Sequence, residues 1–421
     1  MWVISGFGGY FPDMKSQSVI IGLLMVAPAC GSPAPGTLEI NLFNAPQQHL
    51  RDIADRCTKR AGGRYRIVVN LLPRDANGQR EQLVRRLAAA DTGLDVLGLD
   101  VTWTAELAEA GWIREWTGAD ADRARAGTLV KPLETATWRG RLYAAPYTTN
   151  VQLLWYRSDL LATPPATWEQ MMSAARRLAA ERKPAYGEVT GAQYEGMMVW
   201  FNSLVASAGG AILTPAGGLS LGPPALRALQ VMWAYATSPA ADPALPNTRE
   251  DDARLAVEAG RAAFEVNWPY VYASMAANRP EMLPYFRWAP YPGITGPGRS
   301  PLGGVNFAIS RYSKHPREAY EAALCLRDPE SQKIAATRDG LPPTLQAVYS
   351  APGMAKVYPM RQAILDALET AAPRPATPVY QNLSTVVGAV LSPPADINPP
   401  KTLATLRRQI GDALRSRGVL P

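Results

Sequence analysis

A chain of 421 residues is long enough for two or three domains of roughly 100 to 200 residues each, and for a large buried core. With 47% hydrophobic and 19% charged residues it has the composition of a folded globular protein, not a disordered one. The formal charge of +7 is mild and dispersed, and no Lys/Arg block with interleaved aromatics marks a nucleic-acid face.

In chain order the first feature is Ser18 to Ala29, about a dozen mostly apolar residues, too short for the roughly 20 that a membrane-spanning helix needs. Lys15 gives the stretch a basic start and the small residues Ala27 and Ala29 end it, which is the pattern of an export signal. Residues 1 to 13 carry Asp13 and no basic residue, so Met14 is the expected true start. The junction Ala27-Pro28-Ala29-Cys30 resembles a bacterial lipobox, with Ala27 where that motif usually has Leu. The resemblance implies that residues 1–29 are removed, that Cys30 carries the lipid anchor to the membrane, and that residues 30–37 are a flexible tether. An N-terminal helix packed on the core is the alternative, and it leaves the Cys-Gly-Ser-Pro junction without a purpose. In an exported protein the remaining pair, Cys57 and Cys325, points to a disulfide. The alternative is two buried free thiols. No Cys-x-x-Cys spacing exists and His49 and His315 are the only histidines, so no zinc site, and no other cofactor, is expected.

Leu38 to Phe43 alternates as a strand, and Gln48 to Ala61 carries Leu50, Ile53, Ala54 and Cys57 at helical spacing before Gly62-Gly63. A strand over Tyr65–Leu72, a helix over Glu81–Ala90 and a strand over Leu94–Leu99 complete a βαβαβ run, which implies a parallel sheet with right-handed crossovers. Ligands of such sheets bind outside the carboxyl ends of the strands, where Asn44, Gln47, Gln48, Asp100 and Trp103 lie. A dinucleotide site is disfavoured because no G-x-G-x-x-G follows the first strand, and a P-loop is excluded by the lack of a Gly-Lys pair. Further on, Thr167-Trp168-Glu169-Gln170 reads as a capping box opening a helix through Ala180. Helices over Tyr194–Ala208 and Pro223–Ala236, Pro/Gly-rich loops at 290–304 and a final helix from about Thr402 to Ser416 follow.

Several segments together resemble the family 1 extracytoplasmic solute-binding proteins, the maltose-binding-protein-like receptors of ABC importers. WRGRLYAAPYTTNVQLLWYRSDLL (138–161), followed by PPATWEQMMSAARRL, is similar to that family's crossover between lobes. GRAAFEVNWPY (260–270) is similar to its ligand-contacting strand and turn, and PLGGVNFAISRYSKHPREAYEAALCLRDPESQ (301–332) to its return. The resemblance implies an α/β, two-lobed periplasmic-binding-protein-like fold of type II, each lobe a mixed sheet flanked by helices with the ligand cleft between them. It places lobe one at 38–147 and 303–342, and lobe two at 148–302 and 343–421. Both Cys57 and Cys325 then fall in lobe one, where a bridge does not restrain the hinge. The lipobox, Asp-Val-Thr-Trp at 100–103 and Asn-Trp-Pro-Tyr at 267–270 are similar, more narrowly, to the trehalose-binding lipoproteins of mycobacteria. A disaccharide, trehalose in first place, is the implied ligand, and a permease with a separate ATPase the implied partner.

A sugar offers hydroxyls on its rim and CH patches on its faces, so its receptor needs planar polar groups and aromatic platforms. Asp100 suits a pair of hydroxyls, with a helix N-cap as its plain alternative. Asn150 can donate and accept at once, with a turn as its alternative. Trp268 and Tyr270 flank Pro269 in what reads as a stiff loop, whereas Trp103, Trp155 and Trp200 read as core. Gly303 and Gly304 would let backbone approach a sugar, or mark a plain turn. Arg374, in Pro-Arg-Pro, has a donor fork suited to vicinal hydroxyls or to Asp100, or is a solvated loop residue. The competing reading is a lipoprotein glycoside hydrolase using Asp100 and Glu265 as its carboxylate pair. A third is an envelope scaffold without a small ligand.

Overall fold

The structure is a computed structural model that describes residues 37–417, so the expected signal peptide, Cys30 and the tether before Thr37 lie outside the described residues. Strands β1 (Glu39–Asn44), β2 (Arg66–Leu71) and β3 (Val96–Asp100) are followed by a short hairpin, β4 (Thr137–Trp138) and β5 (Arg141–Leu142), and by the long β6 (Ala144–Val151). Next come β7 (Leu153–Arg157), β8 (Tyr186–Glu188), β9 (Ala262–Asn267) and β10 (Phe286–Ala289), and last β11 (Leu302–Ile309). They form two main sheets, ordered β2-β1-β3-β11-β6 and β10-β7-β9-β8. Helices flank both.

The βαβαβ start is as the spacing predicts. β1 runs parallel to β2 and to β3, and the helix Leu50–Arg60 buries Leu50, Ile53, Ala54 and Cys57. β11 then pairs antiparallel with β3 and with β6, which makes the sheet mixed. Val96, Leu97 and Leu99 are all buried, because β3 lies between two neighbours and under helices on both faces. The next helix starts at Ala76, five residues before the apolar spacing shows it, because the Asp75 carboxylate accepts from the Gly78 amide and caps a polar first turn. Thr167 caps its helix as expected, accepting from the Gln170 amide, but Gln170 reaches back to the Ala166 amide and not to that of Thr167. The last helix begins at Pro399, where Pro at the first helical position needs no donor.

The chain passes from the first sheet to the second at Gln152 and returns between Ala289 and Leu302. Ser300 Oγ donates to the Gln152 carbonyl at 2.8 Å, which ties the two passages together. The second sheet is built around Trp155, which stacks on Phe286 with ring centroids 5.3 Å apart and donates its indole N–H to the Asn267 carbonyl. This last bond fixes the end of β9, from which Trp268 emerges.

Cys57 and Cys325 are joined by a disulfide between the helices Leu50–Arg60 and Pro316–Leu326, with Cα atoms 5.8 Å apart. The bridge closes a separation of 268 residues. On the chain-entropy account a closed loop of this length stabilises by about 5 to 6 kcal/mol. Thiol titration of the unfolded, unreduced mature protein is expected to find neither cysteine free, and reduction is expected to lower the melting temperature. An unchanged melting temperature after verified reduction would contradict that account.

Candidate functional site

Asp100 is the last residue of β3. Its Oδ1 accepts from the Thr102 amide at 2.9 Å and from Thr102 Oγ1 at 2.7 Å, so the carboxylate closes its own turn. It also receives Arg374 Nη2, at 3.0 Å on Oδ1 and 3.3 Å on Oδ2. The Asp100 side chain keeps 22% exposure, whereas that of Arg374 keeps 2%. Arg374 is therefore not a solvated loop residue. Its Nη1 donates to Glu195 Oε1 at 2.5 Å, and Glu195 also accepts from the hydroxyls of Tyr380 and Ser384. Burial raises the Glu195 pKa, with Arg374 and the two hydroxyls pulling against it. Burial alone would lower the Arg374 pKa, but Asp100, Tyr380 and Glu195 outweigh it and hold the guanidinium protonated. One Arg374 nitrogen, Nε, is buried with no acceptor.

A second group gathers where β6 and β11 pair. Asn150 stands opposite Gly303 in the register. A Cβ on Gly303 would lie 3.1 Å from Trp268 Cζ3 and Cη2 and 3.3 Å from Asn150 Cβ, so the indole packs directly on the bare glycine beside Asn150. Asn150 Oδ1 and Thr149 Oγ1 are buried without partners. The Trp268 amide donates to Asn267 Oδ1, while Asn267 Nδ2 donates to the Glu250 carbonyl and to Glu265 Oε2. Asn267 thus sets the direction in which Trp268 leaves the sheet. Gly304 has φ of +134°, and a Cβ there would sit 2.3 Å from the Thr148 carbonyl oxygen. The neighbouring strand is enough to require glycine at that position, one residue before the register shift between Val305 and Asn306.

The other expected site residues are placed differently. Asn44 is buried against β3, where a Cβ on Gly98 would collide with its Oδ1, and that oxygen has no partner. Gln47 Nε2 donates to Tyr147 Oη at 2.9 Å and to Asp339 Oδ2 at 2.8 Å. Gln48 is exposed. Tyr270 does not sit in a loop: it opens the helix Tyr270–Asn278, donates to Asp251 Oδ1 at 3.2 Å, and packs against Gly340. Trp103, Trp155 and Trp200 are buried, as expected of core residues. Sequence reasoning missed Glu195, which holds Arg374, and Tyr380 and Ser384, which hold Glu195. An acidic residue in a helix's first turn, as Glu195 is, reads as dipole compensation and gives no further signal.

Glu265 is only 1% exposed, lies inside the second sheet opposite Glu188 and Trp155, and has its pKa pushed up to about 8, chiefly by burial. Enclosed in this way, it cannot flank a glycosidic bond together with an attacking water, as the hydrolase reading requires. Among the described residues no cluster suited to a metal ion is present, and no helix is long and apolar enough to cross a membrane.

Residues 50–333, about two-thirds of the chain, match the family model described as bacterial extracellular solute-binding protein. The chain belongs to this family. Its members are substrate receptors, and the receptor described here is not an enzyme. It is 28% identical, over 96% of its own length and 100% of the relative's, to a probable ABC transporter-binding protein of Deinococcus radiodurans. Among solved structures it is similar to maltose-bound MalE3 of T. maritima, with a TM-score of 0.80 and 26% identity over 89% of this chain and 99% of that one. The fold is shared also with the GacH receptor of Streptomyces glaucescens, at a TM-score of 0.79 and 18% identity, covering 91% of this chain and 100% of that one. The receptor therefore has the two-lobed α/β fold of maltose-binding-type proteins.

Glu188 faces Glu265 and has its own pKa pushed up to about 8, by burial first and then by Asp242 and Glu265. A carboxyl whose folded pKa exceeds its unfolded value near 4.3 contributes stability that is complete below that value and is lost as pH rises through the folded pKa. Glu265→Gln, which keeps an acceptor for Asn267, is expected to melt near wild type at pH 5 and above wild type at pH 9. Equal melting temperatures at pH 9 would place the ionised form in solvent.

Proposed function

We propose that the receptor binds a disaccharide, with trehalose the favoured ligand, by closure of two lobes over it, and delivers it to an ABC permease driven by a separate ATPase. The observation that carries this reading is the pairing of two unlike surfaces. One is a charged chain, Asp100–Arg374–Glu195, joining the end of β3 to residues packed on the second sheet. The other is an apolar and amide surface formed by Trp268, Gly303 and Asn150. Together they offer what a disaccharide needs: acceptors and donors in fixed geometry, and an indole for a ring face. Maltose in the T. maritima structure and acarbose in that of S. glaucescens support a sugar. The similarity to mycobacterial trehalose-binding lipoproteins in the segments 100–103 and 267–270 favours trehalose among disaccharides.

In this reading lobe one comprises 38–147 and 303–342, lobe two comprises 148–302 and 343–421, and Cys30 carries the lipid that holds the receptor at the outer face of the membrane. Asn44, Gln47, Gln48, Tyr270 and Gly304 belong to the rim and support of the cleft. A sugar stabilises the closed form only through its higher affinity for it, which in this reading comes from touching Asp100 on lobe one and Trp268 on lobe two at once.

Calorimetry with trehalose and maltose on Asp100→Ala, Asn150→Ala, Trp268→Ala and Arg374→Ala tests the assignment. Each loss of a hydrogen-bonding or stacking partner is expected to cost about 1 to 3 kcal/mol, roughly tenfold to a hundredfold in affinity. Arg374→Ala also strips Glu195 of its cation, so its melting temperature should fall, by the equivalent of about 3 to 5 kcal/mol. Wild-type affinity in the other three would mean that the cleft is elsewhere. Equal affinity for maltose would leave a disaccharide receptor and remove trehalose as the preferred ligand.

A further inference from the structure

A pocket of about 470 Å³ opens beside the disulfide, apart from every residue of the proposed sugar site. Cys57 and Cys325 both reach its wall, together with Tyr65, Arg60, Arg123 and Leu324. Its volume is within the roughly 300 to 1,000 Å³ of small-molecule sites. The two cysteines are unequal: Cys57 is 1% exposed, while Cys325 is half-buried. Arg56 Nη2 lies 3.8 Å from both sulfurs. It is fixed there by Asp328 Oδ1 at 2.5 Å, Ser331 Oγ at 2.6 Å and the Cys325 carbonyl at 3.3 Å. A guanidinium next to a sulfur favours the thiolate, and a leaving thiol with a lower pKa departs faster.

We propose that this disulfide is an exchange site, at which a low-molecular-weight thiol enters the pocket and becomes covalently attached to Cys325. The entering thiol gives its proton to solvent, and the thiolate attacks Cys325 Sγ, the sulfur of the more exposed residue. The Cys57–Cys325 bond breaks as the new sulfur–sulfur bond forms, and its electron pair leaves on Cys57 Sγ, beside Arg56. One disulfide replaces another, so the step needs no separate oxidant or reductant. Its structural effect is to remove the covalent tie between the helices Leu50–Arg60 and Pro316–Leu326, while the bonds of Arg56 to Asp328 and Ser331 remain.

The test uses the native mature protein with reduced glutathione as the probe, a pulse of alkylating reagent to trap the freed thiol, and peptide mapping. The glutathionyl group is expected on the Cys325 peptide and the alkyl group on the Cys57 peptide. Arg56→Met should slow adduct formation about threefold or more in the native protein, and the two proteins should react at the same rate in denaturant, where Arg56 no longer adjoins the sulfurs. Attachment at Cys57, a native rate unchanged by Arg56→Met, or no adduct under conditions that modify the unfolded chain would each overturn the proposal.

Discussion

A guanidinium with almost no exposed surface is the constraint on which the centre of this receptor depends. Taking a charge out of water costs several kcal/mol, and the cost is offset only where oppositely charged groups meet it in good geometry. Arg374 meets two: Asp100 at the end of β3, and Glu195 at the start of the helix Glu195–Ser207. Three stretches far apart in sequence are held in register by one side chain. Pro373 contributes as well, since its carbonyl accepts from Asn202 and fixes the backbone from which Arg374 extends. The arrangement is asymmetric. Glu195 is enclosed and has the support of Tyr380 and Ser384, whereas Asp100 is the partner in contact with solvent, the one that a ligand's hydroxyls could engage.

The aromatic half of the proposed site obeys a different constraint, that of shape. Trp268 can lie against the β6–β11 pair only because Gly303 has no Cβ. Its direction is set one residue earlier, by Asn267, whose side-chain amide is shared among the Glu250 carbonyl, the Glu265 carboxyl and the Trp268 amide. This gives a use to the buried Glu265 that differs from catalysis. Held above the ordinary carboxylate range by burial, it is a neutral hydrogen-bonding group inside a sheet, where an ionised one would be costly.

Much of this was legible in the sequence where the signal is periodic. The βαβαβ start, the buried face of Leu50, Ile53, Ala54 and Cys57, and the cap at Thr167 follow from spacing that backbone geometry enforces. What was not legible depends on long-range contact. Nothing local distinguishes Arg374 from a loop arginine, because its burial is made by Asp100 and Glu195, which lie 274 and 179 residues away. Tyr270 read as a loop residue because Pro269 precedes it, yet Pro is well tolerated just ahead of a helix, and the helix starts at once. Gly304 read as a place for a ligand to approach, but the carbonyl of Thr148 on the adjacent strand already fills the space.

The long loop closed by the disulfide has a topological consequence. Every strand of the second sheet lies between Cys57 and Cys325 in the sequence. A single cut of the backbone anywhere in that span, such as in the Pro/Gly-rich stretch at 290–299, opens the ring without producing two molecules. The halves stay covalently joined, so their reassociation is governed by a fixed effective concentration and not by dilution. A nicked receptor can thus survive as a two-chain protein, held together until the Cys57–Cys325 bond is opened.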